Sequence, residues 1–251
     1  MKKLKFNLIS YKIGIFISFL ILCNFYNCLF AGAPALNKDP IPTAPYSLKE
    51  TNHLIVGVEW DKNKMLKFLP DELLKNNIIT GGIEIFNSKK KQLLSPVSGA
   101  YIWIDVPLTN NNDMKKHIIF SIYGPNKTIN TIMKSVYNLD SKLGSNKVTL
   151  INNKAIGTTS IKKKNVIILS ANNPKGCKNV SGSEVIITKD IKQSKTYKPV
   201  SWKSEKECFS KPLNVEFKGS LENYKIKKLL WAKTREKSSL TFGKPSTKNK
   251  D

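Results

Sequence analysis

The stretch "MKSVYNLDSKLGSNKVTL", residues 133–150, decides how this chain is read. Its first residues finish an amphipathic helix, Gly144 marks a tight turn, and "KVTLIN" (147–152) has the composition of a strand. Just upstream, Ile129, Ile132, Met133, Val136 and Leu139 recur at helical spacing as one apolar stripe. A helix is therefore expected from about Lys127 to Leu139, with Asn126 as its cap. In the turn, Lys142 follows Ser141 and precedes Leu143-Gly144. It is either an amine held at the mouth of a pocket or one more solvated charge.

Outward from this stretch, most of the chain reads as strands. On the N-terminal side "HLIVGVEW" (53–60), "TGGIEIFN" (80–87), "GAYIWIDVPL" (99–108) and "KHIIFSIYG" (116–124) are rich in β-branched and aromatic residues. Between the first two, Asp61 is placed to cap a short helix with Met65, Leu66, Phe68 and Leu69 inward, ended by Pro70. On the C-terminal side the candidates are "KAIGTTSIK" (154–162), "NVIILSA" (165–171), "SEVIITKD" (183–190), "KTYKPVSW" (195–202), "LNVEFKGS" (213–220), "YKIKKLLWA" (224–232) and "SSLTFG" (238–243). Many strands with one main helix define an α+β, mostly β domain with a barrel-type sheet. The domain is expected over residues 40–243, followed by a basic flexible tail at 244–251.

The first thirty residues have a different character. A lysine-bearing start without acids, the apolar run "IGIFISFLILCNFYNCLF" and then "AGAPA" form the pattern of a secretory signal peptide, residues 1–31. An uncleaved membrane anchor is the alternative, weakened by Asn24 and Asn27 within the run. Export places the mature chain in the periplasm or outside the cell. There Cys177 and Cys208, the only cysteines beyond that segment, are expected to form a disulfide.

The net charge of +24 suggests a nucleic-acid partner, but the residue types argue otherwise. Arg235 is the only arginine, and base readout and phosphate forks favour arginine over lysine. No specific nucleic-acid partner is expected; weak association with anionic surfaces is. No Cys/His group has metal-ligand spacing, so no metal or cofactor is expected, and His53 and His117 read as structural.

Taken in order, these segments resemble the acetoacetate decarboxylase family. "APYSL", a strand, and "WDKNKMLKFLPDELL" match its opening; "IEIF" and "AYIW" match its next strands. "IYGPNKTINTIMKSVYNLDSKLGSNKVTL" matches its central strand–helix–turn–strand signature. The resemblance covers roughly residues 44–171. It implies a barrel-type fold with a largely apolar pocket, a small-molecule ligand, and a homo-oligomer. Decarboxylating members use a lysine amine that forms a Schiff base with a β-keto acid, its pKa lowered by desolvation and by a neighbouring lysine, a case the field uses as its model.

Here the sequence departs from that pattern. The family's Pro-Lys-Lys falls on Asp140-Ser141-Lys142, so Ser141 takes the nucleophile's place and Lys142 the neighbour's. The pocket arginine falls near Thr51 and the second pocket glutamate near Trp103, while the first is kept as Glu84. Met133, on the helix stripe, is expected to line the pocket with Trp103, Ser141 and Thr51. A serine hydroxyl cannot form an imine. The expectation is therefore a non-decarboxylating member that binds a small carbonyl, carboxylate or apolar ligand. The alternatives are a lyase in which Lys142 acts with Glu84 on a keto acid, and a basic surface-associated structural protein.

Overall fold

A computed structural model describes residues 43–69, 73–88, 97–107, 114–189 and 195–246. The proposed signal peptide, Pro70 and the last five residues of the tail lie outside them. Among the described residues ten strands form one sheet: β1 (Tyr46–Trp60), β2 (Ile79–Ser88), β3 (Val97–Pro107), β4 (Met114–Pro125), β5 (Ser141–Leu143), β6 (Ser145–Ile151), β7 (Lys154–Ile161), β8 (Lys164–Lys189), β9 (Lys195–Phe217) and β10 (Ile226–Phe242). Their order is β5-β4-β3-β2-β1-β10-β9-β8-β7-β6, and β4 also pairs with β8. That extra pairing, parallel and made by Lys116 and His117 with Ile186 and Ile187, closes the run from β4 round to β8 into a ring. The sheet is otherwise antiparallel except where β5 joins β4 in parallel.

The short helices begin where the side chains put them. Asp61 accepts hydrogen bonds from the amides of Asn63 and Lys64 and starts α1 (Lys62–Met65). Asn126 accepts from Thr128 N at 2.7 Å and starts α2 (Lys127–Ser135). The expected helix ran to Leu139; α2 stops at Ser135, and the tail of the apolar stripe continues in an irregular segment that still buries Tyr137 and Leu139.

The two faces of the sheet bury separate clusters. One contains Leu54, Val56, Ile83, Ile85, Ala100, Ile102, Phe120 and Ile122, together with β6–β8 residues such as Val148 and Ile167. The other contains Ile55, Phe86, Tyr101, Trp103, Tyr123 and the α2 stripe Ile129, Ile132 and Met133. Alternation along each strand assigns every residue to one face.

Four of the expected C-terminal strands merge in pairs. "NVIILSA" and "SEVIITKD" are the two ends of β8, and "KTYKPVSW" and "LNVEFKGS" belong to β9 or its end. The linking segment 172–183 lacks an apolar alternation because much of it is exposed on both faces. It is held by pairing with β9, by bulges, and by the Cys177–Cys208 disulfide, which joins the two strands.

Candidate functional site

Register places the candidate residues. Ile55, Glu84, Tyr101, Ser121 and Ser141 form one row across β1 to β5, each directly opposite the next. Leu54, Ile85, Ala100, Ile122 and Lys142 form the adjacent row. Directly opposed residues share a face and neighbours along a strand do not. Glu84 and Ser141 therefore point to the α2 side, and Lys142 points to the other. Lys142 is exposed, with its Nζ 5.2 Å from the Phe120 ring centroid. Ser141 is fully buried and accepts a 2.7 Å hydrogen bond from Asn130 Nδ2 of α2.

The centre of the α2-side face is a buried polar network. Glu84 is 2 % exposed, and its Oε1 lies 2.6 Å from His53 Nδ1. Tyr101 donates its hydroxyl to Glu84 Oε2. On the far side of the imidazole, His53 Nε2 lies 2.7 Å from Thr51 Oγ1, and Thr51 donates to the Ser238 carbonyl at 2.9 Å. The Thr51 hydroxyl has one proton, and a carbonyl only accepts, so Thr51 Oγ1 takes the Nε2 proton. The remaining proton sits between Nδ1 and Oε1. Burial pushes the Glu84 acid up, but the His53 hydrogen bond and charge, with Lys116 and Arg235 beyond, outweigh it and bring the carboxyl down to about 2. Glu84 is thus held as the carboxylate of the pair, and Phe86 stacks on the imidazole at 5.4 Å.

Trp103 shares this face. Its ring lies against Gly82, where a built Cβ would come within 2.5 Å of the ring, and its Nε1 donates to Asp105 at 2.9 Å. Lys116 Nζ sits 4.3 Å from the Trp103 ring centroid and 2.7 Å from Glu184 Oε2. Met133 is buried in the cluster beneath α2. So Glu84, Ser141, Trp103, Thr51 and Met133 share one face, and Lys142 alone among the candidates does not.

Beside this face an open cleft of about 260 Å³ is lined by Lys67, Phe68, His117, Asn138, Asp140 and Thr188, among others. Asp140 brings the Ser141 turn to its edge. Behind Thr188 lies Lys198, 1 % exposed, which donates to the Thr188 hydroxyl. Burial pushes this amine down to about 7. Composition had not singled out Lys198, but alternation carried the signal: Lys198, Val200 and Trp202 fall on one side of "KTYKPVSW", and the latter two are apolar. His53, read as structural, proves to be the partner of Glu84. Strand parity with Ile55 put it on the right face, but the pairing needed the register of β1 on β2.

The comparisons agree with this architecture. No protein-family model and no curated protein matches the chain. Among solved structures, the acetoacetate decarboxylase from Legionella pneumophila superposes with a TM-score of 0.60 at 13% identity, over 86% of this chain and 92% of that one. The enduracididine biosynthesis enzyme MppR complexed with pyruvate gives 0.61 at 9% identity, over 87% and 96%. An acetoacetate decarboxylase-like enzyme from Sphingomonas wittichii RW1 gives 0.51 at 12% identity, over 82% and 93%. The class is thereby defined: the chain has the acetoacetate decarboxylase-like fold. The comparison covers nearly the whole of each of those structures, so the segment after Ala171 completes the fold.

Proposed function

We propose that this protein is an exported, non-decarboxylating protein of acetoacetate decarboxylase-like fold that binds a small carbonyl- or carboxylate-bearing molecule. The observation that carries the reading is the row containing Glu84 and Ser141, with Lys142 in the next row. The turn that should present the imine-forming amine to the face bearing Glu84 presents Ser141 instead, and the amines of Lys116 and Lys198 on that face are held by Glu184 and the Thr188 hydroxyl. Glu84 is also committed: an acid near 2, tied to His53 and Tyr101, is a poor proton acceptor at neutral pH. The lyase reading with Lys142 and Glu84 would need both side chains at one reacting centre.

The cleft beside the Ser141 turn suits a ligand of a few heavy atoms, with Lys67, His117 and Asp140 as polar contacts. Pyruvate bound to MppR supports that ligand class. The Cys177–Cys208 disulfide supports an oxidising compartment and thus export of the chain after Ala31.

The test is incubation with pyruvate or acetoacetate, with and without borohydride. Thermal stabilisation by the ligand without a trapped adduct and without release of carbon dioxide is the expected result. A reduced adduct on any lysine, Lys142 and Lys198 included, would overturn the reading, as would the absence of any binding.

A further inference from the structure

On the sheet face that carries Glu84, but at the flank formed by β10, β9 and β8, aromatic and basic side chains alternate in the open. Trp231 is 38 % exposed and Phe209 50 %. Lys233 lies between them, its Nζ 4.8 Å from the Phe209 centroid and 5.8 Å from that of Trp231. Lys233 stands directly opposite Phe209, and Trp231 opposite Gly57. Gly57 has no side chain, and the Trp231 ring lies over its backbone, which holds the ring in place. Lys175 faces Phe209 across β8–β9, and Lys211 continues the Phe209 side of β9. Lys175 and Lys211 are exposed, and among the described residues neither makes an ion pair. Glu207, two residues before Phe209 on β9, is taken by Arg235 at 2.6 Å and Lys233 at 3.2 Å.

We propose that this flank is a peripheral docking surface for an anionic phospholipid bilayer. The charge is complementary: free lysines surround two projecting aromatics, and the chain carries +24 overall. Lysine near an anionic bilayer and an indole at headgroup depth each contribute there. A nucleic acid would call for exposed arginine forks, and the one arginine is buried against Glu207. A few lysines and two rings give reversible binding, which salt weakens.

The experiment uses the full chain and reads tryptophan fluorescence. Residues 1–42 contain no tryptophan, Trp60 and Trp103 are 1 % and 2 % exposed, and half-buried Trp202 is common to wild type and Trp231→Phe, so the quenching that Trp231→Phe removes reports the patch whatever the N-terminus does. The probes are vesicles of phosphatidylcholine with brominated acyl chains, alone or mixed with phosphatidylglycerol. Quenching is expected with phosphatidylglycerol, reduced by salt, cut to the residual Trp202 contribution in Trp231→Phe, and weakened about tenfold in affinity in the exposed-site double variant K175E/K211E. Near-UV circular dichroism identical to wild type secures the fold of both variants. Three results overturn the proposal: no quenching with phosphatidylglycerol, equal quenching in Trp231→Phe, or equal binding to pure phosphatidylcholine. Concentration-dependent self-association that disappears in Phe209→Ser also overturns it, since a second copy would then cover the flank.

Discussion

Ser141 stands in the same cross-strand row as Glu84, three strands away, and both side chains are buried on the α2 side of the sheet. At about 4.8 Å per strand the two backbones lie roughly 14 Å apart along the sheet. The turn therefore still aims one residue at the polar centre, and that residue is a hydroxyl. Substitution separates the two positions. Ser141→Ala removes the acceptor of the buried Asn130 amide and should cost about 1–3 kcal/mol by chemical denaturation. Lys142→Ala, at an exposed position, should stay within about 0.5 kcal/mol and leave pyruvate binding unchanged. A large binding loss in Lys142→Ala would place that lysine in the site after all.

His53 and Glu84 form a buried hydrogen-bonded pair, and removal of His53 strands the Glu84 carboxylate. His53→Ala should destabilise the protein by about 3–5 kcal/mol, more than the lost packing alone. The double variant His53→Leu/Glu84→Leu should recover part of that loss, because no charge remains to be buried. Acid gives an independent readout. The Glu84 acid is lower in the folded state than unfolded, so its contribution is present above about 4.5 and lost as pH falls toward 2. Glu84→Gln should flatten the stability profile in that window, by up to roughly 1.4 kcal/mol per pH unit.

The order of elements was legible in the chain, and so was the alternation of side chains along the strands, because both follow from local pattern. Asp61 and Asn126 marked helix starts, and "GIEIF" and "AYIW" fixed alternating faces for Glu84 and Trp103. What was not legible depends on register. Whether Ser141 or Lys142 faces Glu84 is set by the three-residue parallel pairing of β5 with β4, and a one-residue slip would exchange them. The long β8 and β9 strands were also hidden. Their middle segments satisfy backbone groups across the ladder while both faces meet solvent, so no apolar alternation announces them.

The Cys177–Cys208 bridge closes a loop with a sequence separation of 31 in that polar part of the ladder. Cross-linking a loop of that length is worth about 3–4 kcal/mol in the chain-entropy account. Cys208 is fully buried, so its replacement adds a packing loss, whereas Cys177 is exposed. Cys177→Ser should therefore lower stability by somewhat less than Cys208→Ser. Added reductant should bring wild type down to the Cys177→Ser value. A reductant effect that persists in Cys177→Ser would show that the loss does not come from this bridge.

Lys198 sets the alkaline side of the stability profile. It lies in a row with Ile186 of β8 and Lys116 and Asp105 of the ring-closing strands. Lys116 is paired with Glu184, whereas the hydrogen bond of Lys198 among the described residues goes to the neutral Thr188 hydroxyl. Burial without a carboxylate favours the neutral amine, which titrates at about 7 when folded against 10.5 in the unfolded chain. Between those values the unfolded state holds the extra proton, so stability should rise as pH rises from about 7 to about 10.5. Below 7 both states are protonated and the folded chain bears the whole desolvation cost. Lys198→Met keeps the length of the side chain and removes the charge. It should raise the melting temperature at pH 7 and abolish the alkaline rise, measured as stability against pH for both proteins. A wild-type profile flat over that range would mean that Lys198 has a charged partner, and Lys198→Met would then be destabilising at every pH.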